Sequence, residues 1–202
     1  MTRDSKTDGP GLSLCIRPAN PADADGIARL QHLSHTTSFR PFAPAAWVAA
    51  RDLEVYRRDW RERLSIADEF SRTWIALEGR DIVGVLSARW LPEDPTGFGR
   101  REAIIRSGHI HPQRIGLGIG RQLWHCVHSF LRDHRFALAS VDIIAANVRA
   151  RRFFERAGFR LVRIDPSGVE GVPIAIYEFE LGAPYSAGER SRPSEGETAT
   201  DP

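Results

Sequence analysis

The sequence has little of several things, and each shortage narrows the reading. Charge of one sign is not in excess. The 202 residues hold 28 basic and 26 acidic side chains, a formal net charge of +2. That balance argues against a wholly disordered chain and against a dedicated nucleic-acid binder. Lysine is nearly missing: Lys6 is the only one, and every other basic residue is arginine. Arginine is a fork-shaped donor suited to phosphate and carboxylate, although a biased genome produces the same skew. Cysteine is scarce. Cys15 and Cys126 lie far apart and match no metal or redox spacing, so a reducing cytoplasm is the expected compartment and no metal is expected. The first residues, MTRDSKTDGPGLSLC, lack the apolar stretch of a signal peptide, and no run approaches the length that spans a bilayer. The expectation is a soluble intracellular protein with no membrane partner. No internal repeat is present.

What is there suffices for one folded unit. Hydrophobic residues make up 42% of the chain and aromatics 9%, enough for a core. Residues 1–12 are polar with Gly9, Pro10 and Gly11, and residues 182–202 are almost free of apolar side chains after Tyr185. Neither end buries enough surface to offset its ordering entropy, so both read as disordered tails around a domain at 13–181. Within it, residues 12–18 read as a strand. Asn20, Pro21 and Asp23 then open a helix as cap, first position and first-turn acid, with Ile27, Leu30 and Leu33 as its apolar stripe. A break at residues 40–44 precedes a helical stretch at 45–64, whose Trp47, Leu53, Tyr56, Trp60 and Leu64 fall near helical spacing and read as core. Residues 73–78 and 81–90 form a hairpin around Gly79-Arg80, followed by a polar loop at 91–99. Residues 101–111 read as a strand in which Gly108 signals a bulge or a close backbone approach. A helix at 117–134, a strand at 139–144, a helix at 148–157 closed by Gly158, and strands at 159–164 and 173–181 complete the chain. The order predicts an α/β fold with a mixed sheet and helices on both faces.

The most informative segment runs from His109 through Ile110, His111, Pro112, Gln113, Arg114, Ile115, Gly116, Leu117, Gly118 and Ile119 to Gly120 and Arg121. It joins a strand to a helix. Three glycines at alternate positions allow a tight turn and leave amide N–H groups uncovered where the helix dipole is positive, which suits a diphosphate. Arg114 and Arg121 flank the turn as further anion donors. The third glycine comes one position too early for a dinucleotide fingerprint, and no lysine follows as a P-loop requires. Glycine used for turn geometry alone remains the alternative for this segment taken by itself.

A second segment begins at Asn147 after a strand, with Ala150 three residues on, Phe154 seven on, and Gly158-Phe159 from eleven on. Asn147 alone reads as a helix cap. Together, however, residues 110–121 and 147–159 resemble the two best motifs of the GNAT superfamily of acetyl-CoA-dependent N-acetyltransferases, in the family's order and about 30 residues apart. The resemblance covers residues 13–181. Residues 39–44 and 60–64 also look like a common bacterial branch of small-molecule or peptide acetyltransferases.

The resemblance implies a central, mostly antiparallel sheet splayed at its two middle strands. It implies that the amides of residues 115–120 hold the diphosphate of acetyl-CoA, and that the edge from Gly108 to Ile110 and His111 pairs with the pantetheine arm. A backbone N–H there would stabilise the oxyanion developing on the thioester. Asn147 would hydrogen-bond the pantetheine chain, with Phe154 beside it. The acceptor, a small-molecule or peptide amine, would lie against the first helices and the loops at 91–99 and 169–173; a homodimer is an admissible assembly. Three positions depart from the family. Ile115 stands where Gln or Arg is usual. Phe154 stands where a tyrosine often protonates the departing thiolate. The family's glutamate on the strand before the turn falls near Ile104, whereas the carboxylate here is Glu102, two residues earlier on the same strand face. Glu102, His109 and His111 are the candidates for the base. A rival reading is a CoA- or acyl-CoA-binding sensor without turnover, which Phe154 and the displaced carboxylate favour.

Overall fold

The computed structural model describes residues 13–41, 43–65, 69–90 and 101–181. The expected tails at 1–12 and 182–202 and the expected loop at 91–99 lie outside the described residues. The chain runs through β1 (Leu14–Pro18), α1 (Ala24–Thr37), α2 (Ala45–Ala49), α3 (Leu53–Ser65), β2 (Ser71–Glu78), β3 (Asp81–Trp90), β4 (Arg101–Ile110), α4 (Ile119–Asp133), β5 (Phe136–Ile144), α5 (Val148–Arg156), β6 (Arg160–Val169) and β7 (Val172–Glu180). This is the predicted alternation of helices and strands.

The start of the first helical segment follows from its cap. The Asn20 side chain accepts from the Ala22 amide at 3.0 Å, while the Asn20 amide donates to Asp23 at 2.8 Å. Such reciprocal capping is worth about 1 kcal/mol. Arg17 then clamps Asp23 through two 2.8 Å bonds, fixing β1 to the helix entry. One expectation needs correction: residues 45–64 are not one helix but two. Asp52 accepts from the Glu54 amide at 2.6 Å, a local bond that starts a new helix instead of continuing the old one. His32 donates to the Arg51 carbonyl at 3.0 Å and holds that break against α1.

The seven strands lie in the order β1-β2-β3-β4-β5-β7-β6. Every neighbouring pair is antiparallel except β4 with β5. One face of the sheet packs against α1 and α3 through Ile27, Leu30, Tyr56, Trp60, Ile75 and Val85. The other packs against α4 through Leu123, Val127, Leu131 and the strand residues beneath them. Trp60 is 1% exposed and donates its indole N–H to Gln31 at 2.6 Å. Burying a side chain of this size contributes roughly 3 kcal/mol. Gly84 on β3 sets how close α4 comes: a Cβ there would stand 2.8 Å from Ile119 and 2.9 Å from Leu123. A larger residue would push the first turn of α4 off the sheet.

Two features of β4 shape the middle of the sheet. Its parallel pairing with β5 stops at Ile105 opposite Val141. Beyond that point β4 continues to Ile110 and β5 to Ile144 without pairing to each other, so the sheet opens there. The register against β3 also slips, because Ile105 faces Ala88 and Ser107 faces Ser87, leaving Arg106 as the bulged residue. An unbroken strand would put residues 103, 105 and 109 on one face. Here Ala103 and Ile105 belong to the core under α4, whereas His109 is turned over towards α1.

Candidate active site

The turn between β4 and α4 is built from main chain. Gly116 and Gly118 have φ of +91° and +83°, left-handed conformations that cost an L side chain roughly 1–2 kcal/mol. Space around both is open, with nothing within 4 Å of where a Cβ would stand. Gly118 is the N-cap of α4 and no side chain caps that end. The first amides of a helix have no intrahelical partner, so these face outward beside the positive end of the dipole. Ile119 is buried and anchors the turn, whereas Leu117 is 64% exposed. Gly120 faces α5, where a Cβ would stand 3.3 Å from Phe153.

The flanking residues have local duties. Arg114 donates from Nε to Glu78 at 2.7 Å, so this guanidinium is tied to the end of β2. Arg121 is exposed and Ile115 half-buried. His111 accepts from the Gln113 amide at 3.3 Å and caps the short turn before Ile115. Gly108 lies within the open part of β4, and a Cβ there would stand 3.1 Å from Leu86. The bulge itself is at Arg106, so the Gly108 signal marks the close approach. Ile110 is half-buried against the α4-side core. Across the opening, Asn147 accepts from the Ala150 amide at 3.1 Å, the cap of α5. Arg151 holds α5 in place through Tyr177 at 2.9 Å and the Ala145 carbonyl at 3.1 Å. Phe154 is 7% exposed and packs edge-on against Phe153 and Phe159, both at 5.0 Å. Glu102 is half-buried in the paired part of β4, on the side opposite Ala103.

On the α1 side, the structure gathers residues that sequence reasoning did not join. His109 sits 3.1 Å from the Ser34 hydroxyl and 4.9 Å, ring to ring, from His35. His35 is hydrogen-bonded to Tyr56 and edge-on to Phe39 and Trp47. Burial pushes His35 down to about 3, helped by His109, Arg51 and His32. Burial alone pushes His109 down to about 4, and it raises Tyr56 to about 12. Both histidines are therefore neutral at pH 7. Arg51 closes the rim, with its guanidinium 3.9 Å over Trp47 and 2.8 Å from Glu170 in the β6–β7 turn. The first helices and residues 169–173 are thus brought together. Of the three candidate bases, His109 is sealed in this wall, His111 is a cap, and Glu102 keeps partial access to water. The only sequence signals for the wall are scattered single residues.

Among the described residues no group of three or more His, Cys, Asp or Glu is placed to hold a metal ion, and no helix is long and apolar enough to cross a membrane.

A mixed sheet opened between two parallel middle strands, with an uncovered helix end at the opening, is a scaffold that can take an extended ligand ending in an anion. The sequence profile of the acetyltransferase (GNAT) family matches residues 34–159, more than half of the chain. The chain belongs to that family of enzymes. Solved structures agree in fold. An acetyltransferase from Thermus thermophilus is 25% identical with a TM-score of 0.62, covering 84% of this chain and 98% of its own. The PaiA N-acetyltransferase of Thermoplasma acidophilum in complex with coenzyme A is 12% identical with a TM-score of 0.69, covering 83% and 99%. The Arabidopsis thaliana NAA60 in complex with acetyl-CoA is 16% identical with a TM-score of 0.62, covering 85% and 100%. No curated protein matches the chain by sequence.

Proposed function

We propose that residues 13–181 transfer an acetyl group from acetyl-CoA to a primary amine of a small molecule or peptide. The observation that carries the reading is the uncapped start of α4 lying at the point where β4 and β5 separate. The amides of residues 115–120, of which that of Leu117 also donates to the Arg114 carbonyl at 3.4 Å, suit the diphosphate, and the open spaces at Gly116 and Gly118 admit it. The unpaired edge of β4 from Gly108 to Ile110 suits the pantetheine arm as an added strand. Asn147 keeps its side-chain amide N–H groups for that arm while its oxygen caps α5.

Acetyl-CoA supplies the activated acyl group. The chain supplies position and electrostatics. A backbone N–H near Gly108 stabilises negative charge on the thioester carbonyl oxygen. The free-base amine forms the new C–N bond, the C–S bond breaks, and the sulfur leaves as thiolate. Phe154 donates no proton, and a thiolate is stable enough to leave without one. The amine's surplus proton passes to water, with Glu102, a half-buried carboxylate of the same strand, as its onward acceptor. Holding the two reactants together accounts for most of the rate. We assign the reaction to the cytoplasm, where unpaired cysteines such as Cys15 and Cys126 persist.

The test is incubation with acetyl-CoA and a panel of amines and peptide N-termini, following thiol release and the acetylated product by mass. We expect both to rise together with at least one acceptor. Tight CoA binding with no thiol release above background across the panel would turn the reading into that of a sensor.

A further inference from the structure

The acceptor's chemistry is the part of the acyl-transfer reading that the family leaves open. On the α1–α3 side of the sheet the wall of His35, Phe39, Trp47 and Tyr56 packs around His109, which is 5% exposed, and leaves little room for an acceptor. Further along β4 lies a cleft of about 1020 Å³ whose lining includes Trp60, Arg63, Ser87, Arg89 and Arg106. Arg63 comes from the last turn of α3 and stands 5.2 Å over the Trp60 ring. Arg89 lies on β3 opposite Ile104 of β4, and Arg106 is the bulged residue of β4. These three come from separate elements and share one cleft.

Among the described residues none of the three has a carboxylate within 4.0 Å, although nine other arginine–carboxylate contacts are made. Asp59, Glu62 and Glu69 line the same cleft without pairing with them. Partial burial lowers the proton affinity of Arg63; Asp59 and Glu62 oppose that shift, while Arg106 and Arg89 add to it as like charges. Three exposed guanidinium groups that line one cleft, none paired to a carboxylate, define a place for an oxyanion. Its position fits the reaction, because Arg106 is two strand residues from Gly108, about 6–7 Å.

We propose that the acceptor amine carries an oxyanion, a carboxylate or a phosphate, read by Arg63, Arg89 and Arg106. This rests on the acyl-transfer reading, and its test separates the two. Four amines of similar length serve as acceptors: 4-aminobutyrate, 3-aminopropyl phosphate, butylamine and 1,4-diaminobutane. The kcat/KM for one of the anionic amines is expected to exceed that for butylamine by about tenfold or more, with the diamine lowest, as one charge-assisted contact allows. Whichever anionic amine leads identifies the oxyanion. In Arg106→Glu the order inverts towards 1,4-diaminobutane, an outcome that general damage to the fold does not give. Arg89→Gln reduces the anionic preference several-fold. A diamine or butylamine equal to the anionic amines, or a preference unmoved by both variants, overturns the proposal. If no acceptor releases thiol, acyl transfer fails and the cleft is tested on its own. Calorimetric titration of the CoA-loaded protein with glutarate and with inorganic phosphate should then show saturable binding that weakens several-fold in Arg89→Gln. Its absence sinks the oxyanion site as well.

Discussion

Two regions meet at the end of β4 and are made in opposite ways. The turn at residues 115–120 presents main-chain amides and almost no side chain. The wall around His109 presents side chains from α1, α2, α3 and β4. A site made of backbone is insensitive to most side-chain changes but intolerant of a Cβ or a charge at its glycines. A site made of buried side chains depends on the protonation state of each member. The two regions should therefore fail under different insults, and experiments can break or sharpen the contrast.

The largest effect should be on the wall, through pH. His35 and His109 titrate near 3 and 4 in the folded protein against about 6.5 unfolded. Between these values the unfolded chain binds the additional protons, so stability rises with pH and falls on acidification. The stabilisation is complete above about pH 6.5, and some 4 kcal/mol is lost on going from pH 7.5 to pH 5 if both act independently. His128, half-buried, shifts the same way and adds a smaller share. Asp23 is held low by Arg17 and the Asn20 amide against a desolvation cost, so its stabilisation is present above about pH 4 and is lost only below that. Urea midpoints from pH 7.5 to 4.5 measure this, and His109→Gln should remove close to half of the slope. A flat curve would mean that the histidines are not sealed.

The turn should show the next largest effect, and in affinity more than in stability. Gly118→Asp places a carboxylate against the expected phosphates. We expect acetyl-CoA to bind about 100-fold more weakly, equivalent to ~2.7 kcal/mol. Gly118→Ala separates backbone strain from charge: it should cost about 1 kcal/mol of stability and a smaller part of the affinity. Calorimetric binding with parallel melting curves distinguishes the two. Unchanged affinity in Gly118→Asp would remove the diphosphate from this turn.

The same contrast explains what was legible in the sequence. A backbone site needs glycine at fixed steps between a strand and a helix, and Gly116, Gly118 and Gly120 carry that signal in one short window. The alternation of strands and helices was legible for a similar reason, since each element carries its own periodicity and caps. The wall has no such window. Ser34, His35, Trp47, Tyr56, His109 and Glu170 come together only through the fold; Trp47 and Tyr56 read as core and His109 as a candidate base, but nothing in the sequence joins them. His109 faces the wall only because the bulge at Arg106 inverts the end of β4, and strict alternation would assign it to the other face. Arg63, Arg89 and Arg106 were hidden likewise among an arginine-rich background.

A smaller effect tests how the wall is held. Ser34 is 3% exposed and its hydroxyl is the hydrogen-bond partner of the His109 ring. Ser34→Ala leaves that ring nitrogen unsatisfied in a dry place, at a cost of about 1–2 kcal/mol. Acetyl-CoA affinity should not change, because the turn is built without this residue. Loss of affinity together with stability would show that the two regions are coupled through β4.

The smallest effect falls on a residue seen as a cap and proposed as a ligand contact. Asn147 caps α5 with its oxygen and has its side-chain N–H groups left for a ligand. Asn147→Ala removes both and should cost about 1 kcal/mol of stability as well as some acetyl-CoA affinity. Asn147→Asp keeps the capping oxygen and removes only the donors. If the side chain serves the pantetheine arm, the aspartate variant melts like the wild type but binds acetyl-CoA several-fold more weakly. If the aspartate variant matches the wild type in both, Asn147 is a cap and nothing more, and the arm is held by the β4 edge alone.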